Sequence, residues 1–295
     1  MKPYLLTNLP SEIIAIIFSK LPIPTLAISK CVCKRLLTLL EDDYFINSYS
    51  SKLSSALAVM LPLSPKYRCK ILELEDDLDL DSHNPLTYFD FRRGSRIQVS
   101  ANGLLILEKY EKHRQAFYVC NPITRESIRL YPAPEGCSHG FGKSRISGQF
   151  KFVILDGYSG YHVYTLGTGG SWRHVAEPVP TWHGHKSFAE SVNGILHWDY
   201  EADKTWTKEF VIPLNSLLFG GVKFTYIHPL KAFGNGDILM ACDHSKIFYY
   251  SNTTKDYHQI SFFGEPDECY YMTFVPLTPT ILSLKSFSME KVTSF

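Results

Sequence analysis

The sequence predicts a multidomain chain, a small all-α unit at the N-terminus followed by a larger all-β, β-propeller-like domain. Three observations carry that prediction. Apolar residues in the first 46 positions recur at helical spacing between prolines; beyond residue 85 the texture changes to short β-prone runs bounded by turn residues; and those runs return at a nearly constant interval. With 295 residues, 45% apolar and 14% aromatic, the chain is long enough for this division and too apolar for disorder.

In residues 9–21, Pro10 suits a first helical turn, and Ile13, Ile16, Ile17 and Leu21 fall on one face of a short amphipathic helix. Pro22 and Pro24 stop it, and Thr25 can cap the next helix. Leu26, Cys33, Leu36, Leu37 and Leu40 then keep a helical period, with Lys30, Lys34 and Arg35 on the solvated side, until Glu41-Asp42-Asp43 breaks the pattern. So small a unit cannot enclose all of its apolar stripes and needs a partner surface. The expected division is a helical module over 1–46, a linker over 47–85 and a β domain over 86–295. The linker contains a helical stretch around Leu53–Leu63 and the acidic run Glu73–Asp81.

In the β domain, strands are expected at 104–107, 117–120, 150–155, 161–166, 195–198, 210–214, 238–242 and 247–250. Asn102-Gly103, Asn193-Gly194 and Asn235-Gly236 supply tight turns. Gly103, Gly148, Gly194 and Gly236 are 45, 46 and 42 residues apart, and the aromatic strand positions Tyr118, Tyr164, Phe210 and Phe248 are 46, 46 and 38 apart. Both series match the period of a propeller blade, with about five repeats expected. An irregular β-sandwich is the alternative.

Composition and motifs exclude several functions. Thirty Lys and Arg against 29 Asp and Glu leave a net charge of +1, so no global field attracts nucleic acid. The N-terminal apolar stretch is interrupted by Asn8, Pro10, Ser11 and Glu12, so neither a signal peptide nor a membrane span is expected, and the expected compartment is cytoplasm and/or nucleus. Seven scattered cysteines read as reduced, buried thiols, and Asn252-Thr253-Thr254 as a polar turn. His183-Gly-His185 lacks a third and fourth ligand, and Cys31-x-Cys33 has the wrong spacing for a zinc pair, so no metal is assigned. Gly167-Thr-Gly-Gly170 lacks the ending of a phosphate loop and lies between strands, which makes it a hairpin turn. No nucleophile elbow is present, and neither catalysis nor a cofactor is expected.

Leu9-Pro10-x-Glu12-Ile13, Leu21-Pro22, Leu26 and Cys31-Val32-Cys33-Lys34-Arg35 resemble the F-box. Ser100-Ala-Asn-Gly-Leu-Leu, Tyr118-Val-Cys-Asn-Pro-Ile-Thr-Arg-Glu126, Val163 to Arg173, Val192 to Trp198, Phe274-Val-Pro276 and Ser283-Leu-Lys-Ser-Phe287 resemble the F-box-associated domain of plant F-box proteins. The resemblance implies a non-catalytic specificity subunit of an SCF-type ubiquitin ligase. The F-box would dock the adaptor Skp1 and through it cullin and RING subunits, and the β domain would bind a protein substrate. By position it implies adaptor contacts at Leu9, Pro10, Ile13, Ile17, Leu21, Pro22, Leu26, Val32 and Lys34. Leu36 stands where the family usually has Trp, which implies weaker docking. Trp182, His183 and His185, in an aromatic loop, are the candidate substrate contacts. Two alternatives stay open: a stand-alone propeller with a degenerate F-box, and a sialidase-like glycosidase, since Thr165 to Trp172 resembles an Asp-box turn with Gly167 in place of the carboxylate.

Overall fold

The computed structural model describes residues 9–63, 66–74, 85–92, 95–111, 114–131, 134, 136, 138–155, 160–176, 188–192, 195–197, 227–242, 246–260, 272–288 and 290–295. Four short helices open the chain: α1 (Ser11–Phe18), α2 (Ile23–Ser29), α3 (Lys34–Leu40) and α4 (Asp43–Ser50). Pro10 stands at the N-cap of α1, where its missing amide costs nothing, and its carbonyl accepts from the Ile13 and Ile14 amides at 3.1 Å. Pro22 takes the N-cap of α2 and Pro24 its first turn, so Thr25, expected as a cap, lies inside the helix. The acidic trio expected to end the helical part instead separates α3 from α4. Asp42 caps α4, its carboxylate accepting from the Phe45 amide at 3.0 Å, and the helices run to Ser50 rather than 46.

Residues 56–73, expected in a linker with a helical stretch, form β1 (Ala56–Leu63) and β2 (Lys66–Glu73). β1 is an unbroken apolar run because both of its faces are buried, and such a run lacks the alternation that distinguishes a strand from a helix. Ala56, Ala58 and Met60 point into one core, and Leu57, Val59 and Leu61 into another. On one side β1 pairs with β2, which pairs with β3 (Thr87–Arg92). On the other it pairs with β18 (Thr273–Leu277), so the far end of the chain completes the first sheet. The acidic run beyond Leu74 lies outside the described residues.

Three further sheets are described. The second runs β4 (Ser95–Ala101), β5 (Leu104–Glu111), β6 (Arg114–Asn121) and β7 (Glu126–Leu130), with β19 (Val292–Ser294) added at its edge. The third runs β8 (Ser138–Lys143), β9 (Phe150–Leu155), β10 (Tyr161–Thr165) and β11 (Trp172–Val175), extended beyond β8 by β12 (Phe188–Val192) and β13 (Ile195–His197). The fourth runs β14 (Ile227–Ala232), β15 (Ile238–Cys242), β16 (Lys246–Tyr250) and β17 (Tyr257–Ile260).

The repeat seen in the sequence is this four-stranded meander. Gly103, Gly148 and Gly236, at φ of +83°, +67° and +84°, turn the chain from the first strand to the second. Tyr118, Tyr164 and Phe248 each lie on the third strand. Gly194 and Phe210 fall outside the described residues. Between the first and second sheets, Ile71 and Phe89 pack with Leu105 and Leu107; between the second and third, Phe117 and Val119 pack with Phe141 and Phe152. Between the first and fourth, Leu57 and Leu72 pack with Leu239 and Ile247. A sheet that buries each face against a different neighbour is a propeller blade, which a two-sheet sandwich does not provide.

Candidate functional site

The helical unit has too few residues to hide its apolar side chains. Ile14 and Phe18, one turn apart on α1, face inward with Leu26, Leu36, Leu40 and Phe45. Ile13, Ile16 and Ile17 share the neighbouring face of α1, as their spacing predicts, and that face looks outward at 43%, 56% and 39% exposure. Ile28 and Val32 are each 70% exposed, and Leu37 and Tyr44 are exposed on α3 and α4. Arg35 ties the start of α1 to α3, donating to the Leu9 carbonyl at 2.6 Å and the Ser11 hydroxyl at 3.3 Å.

Of the residues implied as adaptor contacts, Pro10, Ile13, Ile17, Pro22, Val32 and Lys34 are exposed, Leu9 and Leu21 are half-buried, and Leu26 is fully buried in the helical core. The exposed Ile16, Ile28, Leu37 and Tyr44 were not singled out, although Ile16 shares the Ile13 and Ile17 face and Ile28 precedes Val32 by four residues. Leu36 is buried against the other helices, so this position is an internal packing residue rather than a surface anchor. The opposed face of the unit is covered from within: Ile123 and Ile281 of the β domain complete the helical core.

The segment that carries Ile281 is held by two residues of one motif already noted, Tyr118 to Glu126. Asn121, fully buried, donates to the Thr280 and Leu282 carbonyls at 3.1 and 2.7 Å and accepts from the Ile123 and Thr124 amides at 2.9 and 3.3 Å. The Glu126 carboxylate accepts from the Ser283 hydroxyl at 3.0 Å and the Leu284 amide at 2.6 Å. Every polar atom of Asn121 is thereby satisfied, which an uncharged buried amide requires. Lys30, expected in solvent, instead donates to the Ile281 carbonyl at 2.7 Å and faces Glu41 at 3.7 Å. Burial pulls its pKa below the ordinary lysine value, opposed by the Glu41 and Glu126 carboxylates.

Trp182, His183 and His185 lie outside the described residues. The Gly167 hairpin joins β10 to β11, and a carboxylate does fix it, though from elsewhere in the chain. Glu290 accepts from the Gly167 amide at 3.1 Å and from the Tyr164 hydroxyl at 3.1 and 3.0 Å. Among the described residues no group of three or more His, Cys, Asp or Glu could hold a metal ion, and no helix is long and apolar enough to cross a membrane. Cys69 and Cys120 are buried free thiols, Cys242 is buried on β15, and burial pushes Cys120 up to about 12; Cys31 is exposed and free.

Residues 6–48 match the F-box domain family, and residues 81–213 match the family described as F-box associated beta propeller domain. The chain is similar to the Arabidopsis thaliana F-box protein DOR, at 31% identity over 251 residues, covering 76% of this chain and 62% of that protein. It is similar to F-box protein At5g49610 of the same plant, at 29% over 219 residues, covering 64% and 57%. The chain thus spans 62% and 57% of the lengths of these two curated relatives.

Proposed function

The chain belongs with the plant F-box proteins that carry an F-box-associated domain, and from that premise we propose that it is the substrate-recognition subunit of an SCF-type ubiquitin ligase. The outward face of Ile13, Ile16 and Ile17 docks a Skp1-like adaptor, with the exposed Val32 as a further contact, and the β domain binds the protein to be ubiquitinated. The observation that carries this reading is that exposed apolar face, on a unit whose other side is already covered by Ile123 and Ile281. Desolvating several isoleucines is the kind of burial that drives stable association. The chain itself needs no catalytic group. Holding a substrate lysine beside a ubiquitin thioester raises its effective concentration, and the chemistry belongs to the partner enzymes. The proposed compartment is cytoplasm and/or nucleus.

Co-purification of the full chain with Skp1 tests the reading. The control is Ile17→Asp with Val32→Asp, because removing residues 1–46 would uncover Ile123 and Ile281 and confound folding with binding. A stable complex lost in the double variant supports adaptor docking. A folded chain that captures no Skp1 overturns it and leaves a stand-alone binding propeller.

A further inference from the structure

The two ends of the β domain differ in chemistry. One end carries the helices, seated on Ile123 of the β6–β7 turn and on Ile281. The opposite end carries the hairpins from β1 to β2 and from β5 to β6. On the first two sheets that end presents Lys66 and Arg68 of β2, Arg96 of β4, Lys109 of β5, Arg114 of β6 and Arg129 of β7, against the carboxylates of Asp90, Glu108 and Glu111. Among the described residues cations outnumber carboxylates two to one here, even with Arg68 and Lys66 facing Asp90 at 2.8 and 3.9 Å and Arg129 facing Glu111 at 2.8 Å, while the chain as a whole has a net charge of +1, so the excess is local. Glu108 is buried and accepts from the side-chain amides of Gln98 and Gln115, so it is already engaged within the second sheet.

Aromatic side chains give a second, independent signal. Tyr110 and Tyr131, at this same end of the second sheet, are 59% and 65% exposed. The Lys109 ammonium lies 5.4 Å from the Phe91 ring and 4.5 Å from the Tyr118 ring, which joins the first sheet to the second, and Arg129 sits 5.3 Å from the Tyr131 ring. Tyrosine and arginine are the residues that protein interfaces concentrate, and a local positive field selects an acidic partner. Glu111 and Asp90 interrupt the cations, which disfavours a continuous phosphate backbone and is tolerated by discrete side-chain carboxylates.

We propose that this end of the first two sheets binds an Asp- and Glu-rich segment of the protein brought for ubiquitination, with Arg96 and Arg114 as charge contacts and Tyr110 and Tyr131 as flanking aromatic contacts. The assignment rests on the substrate-receptor reading above and names the chemistry of its substrate.

The test is fluorescence anisotropy on the full chain with three labelled probes: an Asp/Glu-rich peptide, the same peptide with Asn and Gln, and single-stranded DNA of matching charge. The acidic peptide is expected to bind at least about tenfold more tightly than the neutral one, with affinity falling as salt rises. Arg96→Glu with Arg114→Glu, both at exposed positions, is expected to weaken it by about tenfold or more while leaving Skp1 co-purification intact. Equal binding of the two peptides, an unaffected double variant, or DNA bound as tightly as the acidic peptide would each overturn the proposal. Any of these with the Skp1 complex intact sinks this assignment alone; absence of the Skp1 complex in the wild-type chain sinks the receptor reading.

Discussion

The helical unit and the β sheets solve the same burial problem in opposite ways. Each of the first two sheets buries both faces against neighbouring sheets, and β18 and β19 return from the end of the chain to pair with β1 and β7, so these two sheets cover their own apolar faces from within the chain. The helices borrow Ile123 and Ile281 on one side and leave isoleucines in solvent on the other. A region that cannot bury its own apolar surface is built for partners, and here one partner is inside the chain. The segment at 280–284 belongs to both regions, held by Asn121 and Glu126 of the second sheet and received by the helical core.

Ile281→Ala breaks that sharing and carries the largest expected effect. Truncating a fully buried isoleucine costs about 3 kcal/mol when the site cannot collapse. The loss should concentrate in the helices, which hydrogen exchange will show as faster exchange over residues 11–50 than over the amides of β5 and β6. Uniform acceleration across both regions would mean that they share one cooperative unit and that the contrast between them is only geometric.

Much of this division was legible in the sequence, for reasons that differ by element. Glycine turns and third-strand aromatics gave the blade period because a positive φ at the first turn and a ring packed on an interior strand, buried at Tyr164 and Phe248 and partly buried at Tyr118, are local requirements that recur in the second, third and fourth sheets. β1 was missed because burial of both faces erases alternation, and the helical unit was cut short because Asp42 reads equally as a breaker and as a cap. On α1 the spacing identified the Ile13, Ile16 and Ile17 face but not its direction, since Ile14 and Phe18 make the adjacent face equally apolar. The displacement of Lys30 from solvent to the Ile281 carbonyl depends on a contact 251 residues away in sequence, which no local pattern encodes.

Leu36→Trp sharpens the distinction between the inside and outside of the helices. Were position 36 a missing surface anchor, Trp would strengthen Skp1 capture. Because Leu36 is buried among the helices, the larger ring overfills the core at a cost of about 2 kcal/mol, and thermal denaturation should show a lower midpoint without tighter Skp1 binding. Tighter binding at unchanged stability would restore the anchor interpretation.

The smallest expected effect lies wholly in the sheets, at the Asn235-Gly236-Asp237 turn, and has a pH signature. Burial pushes the Asp237 carboxyl up, but hydrogen bonds outweigh it: from the Tyr249 hydroxyl, from the Asn252 amide at 2.6 Å and from the Asn235 side-chain amide at 2.7 Å. The group is held below its ordinary value. A carboxylate with a depressed folded pKa contributes stability that is complete above its unfolded value, about 4, and is lost as pH falls through the lower folded value. Asp237→Asn should therefore cost about 1 kcal/mol at neutral pH, and the gap to wild type should close in acid below about pH 4. Denaturation curves across that range provide the measurement. A gap that stays constant into acid would show that shape rather than charge holds this turn. Slower or faster exchange in α1–α4 on this substitution would show that the sheets do not keep their polar networks to themselves.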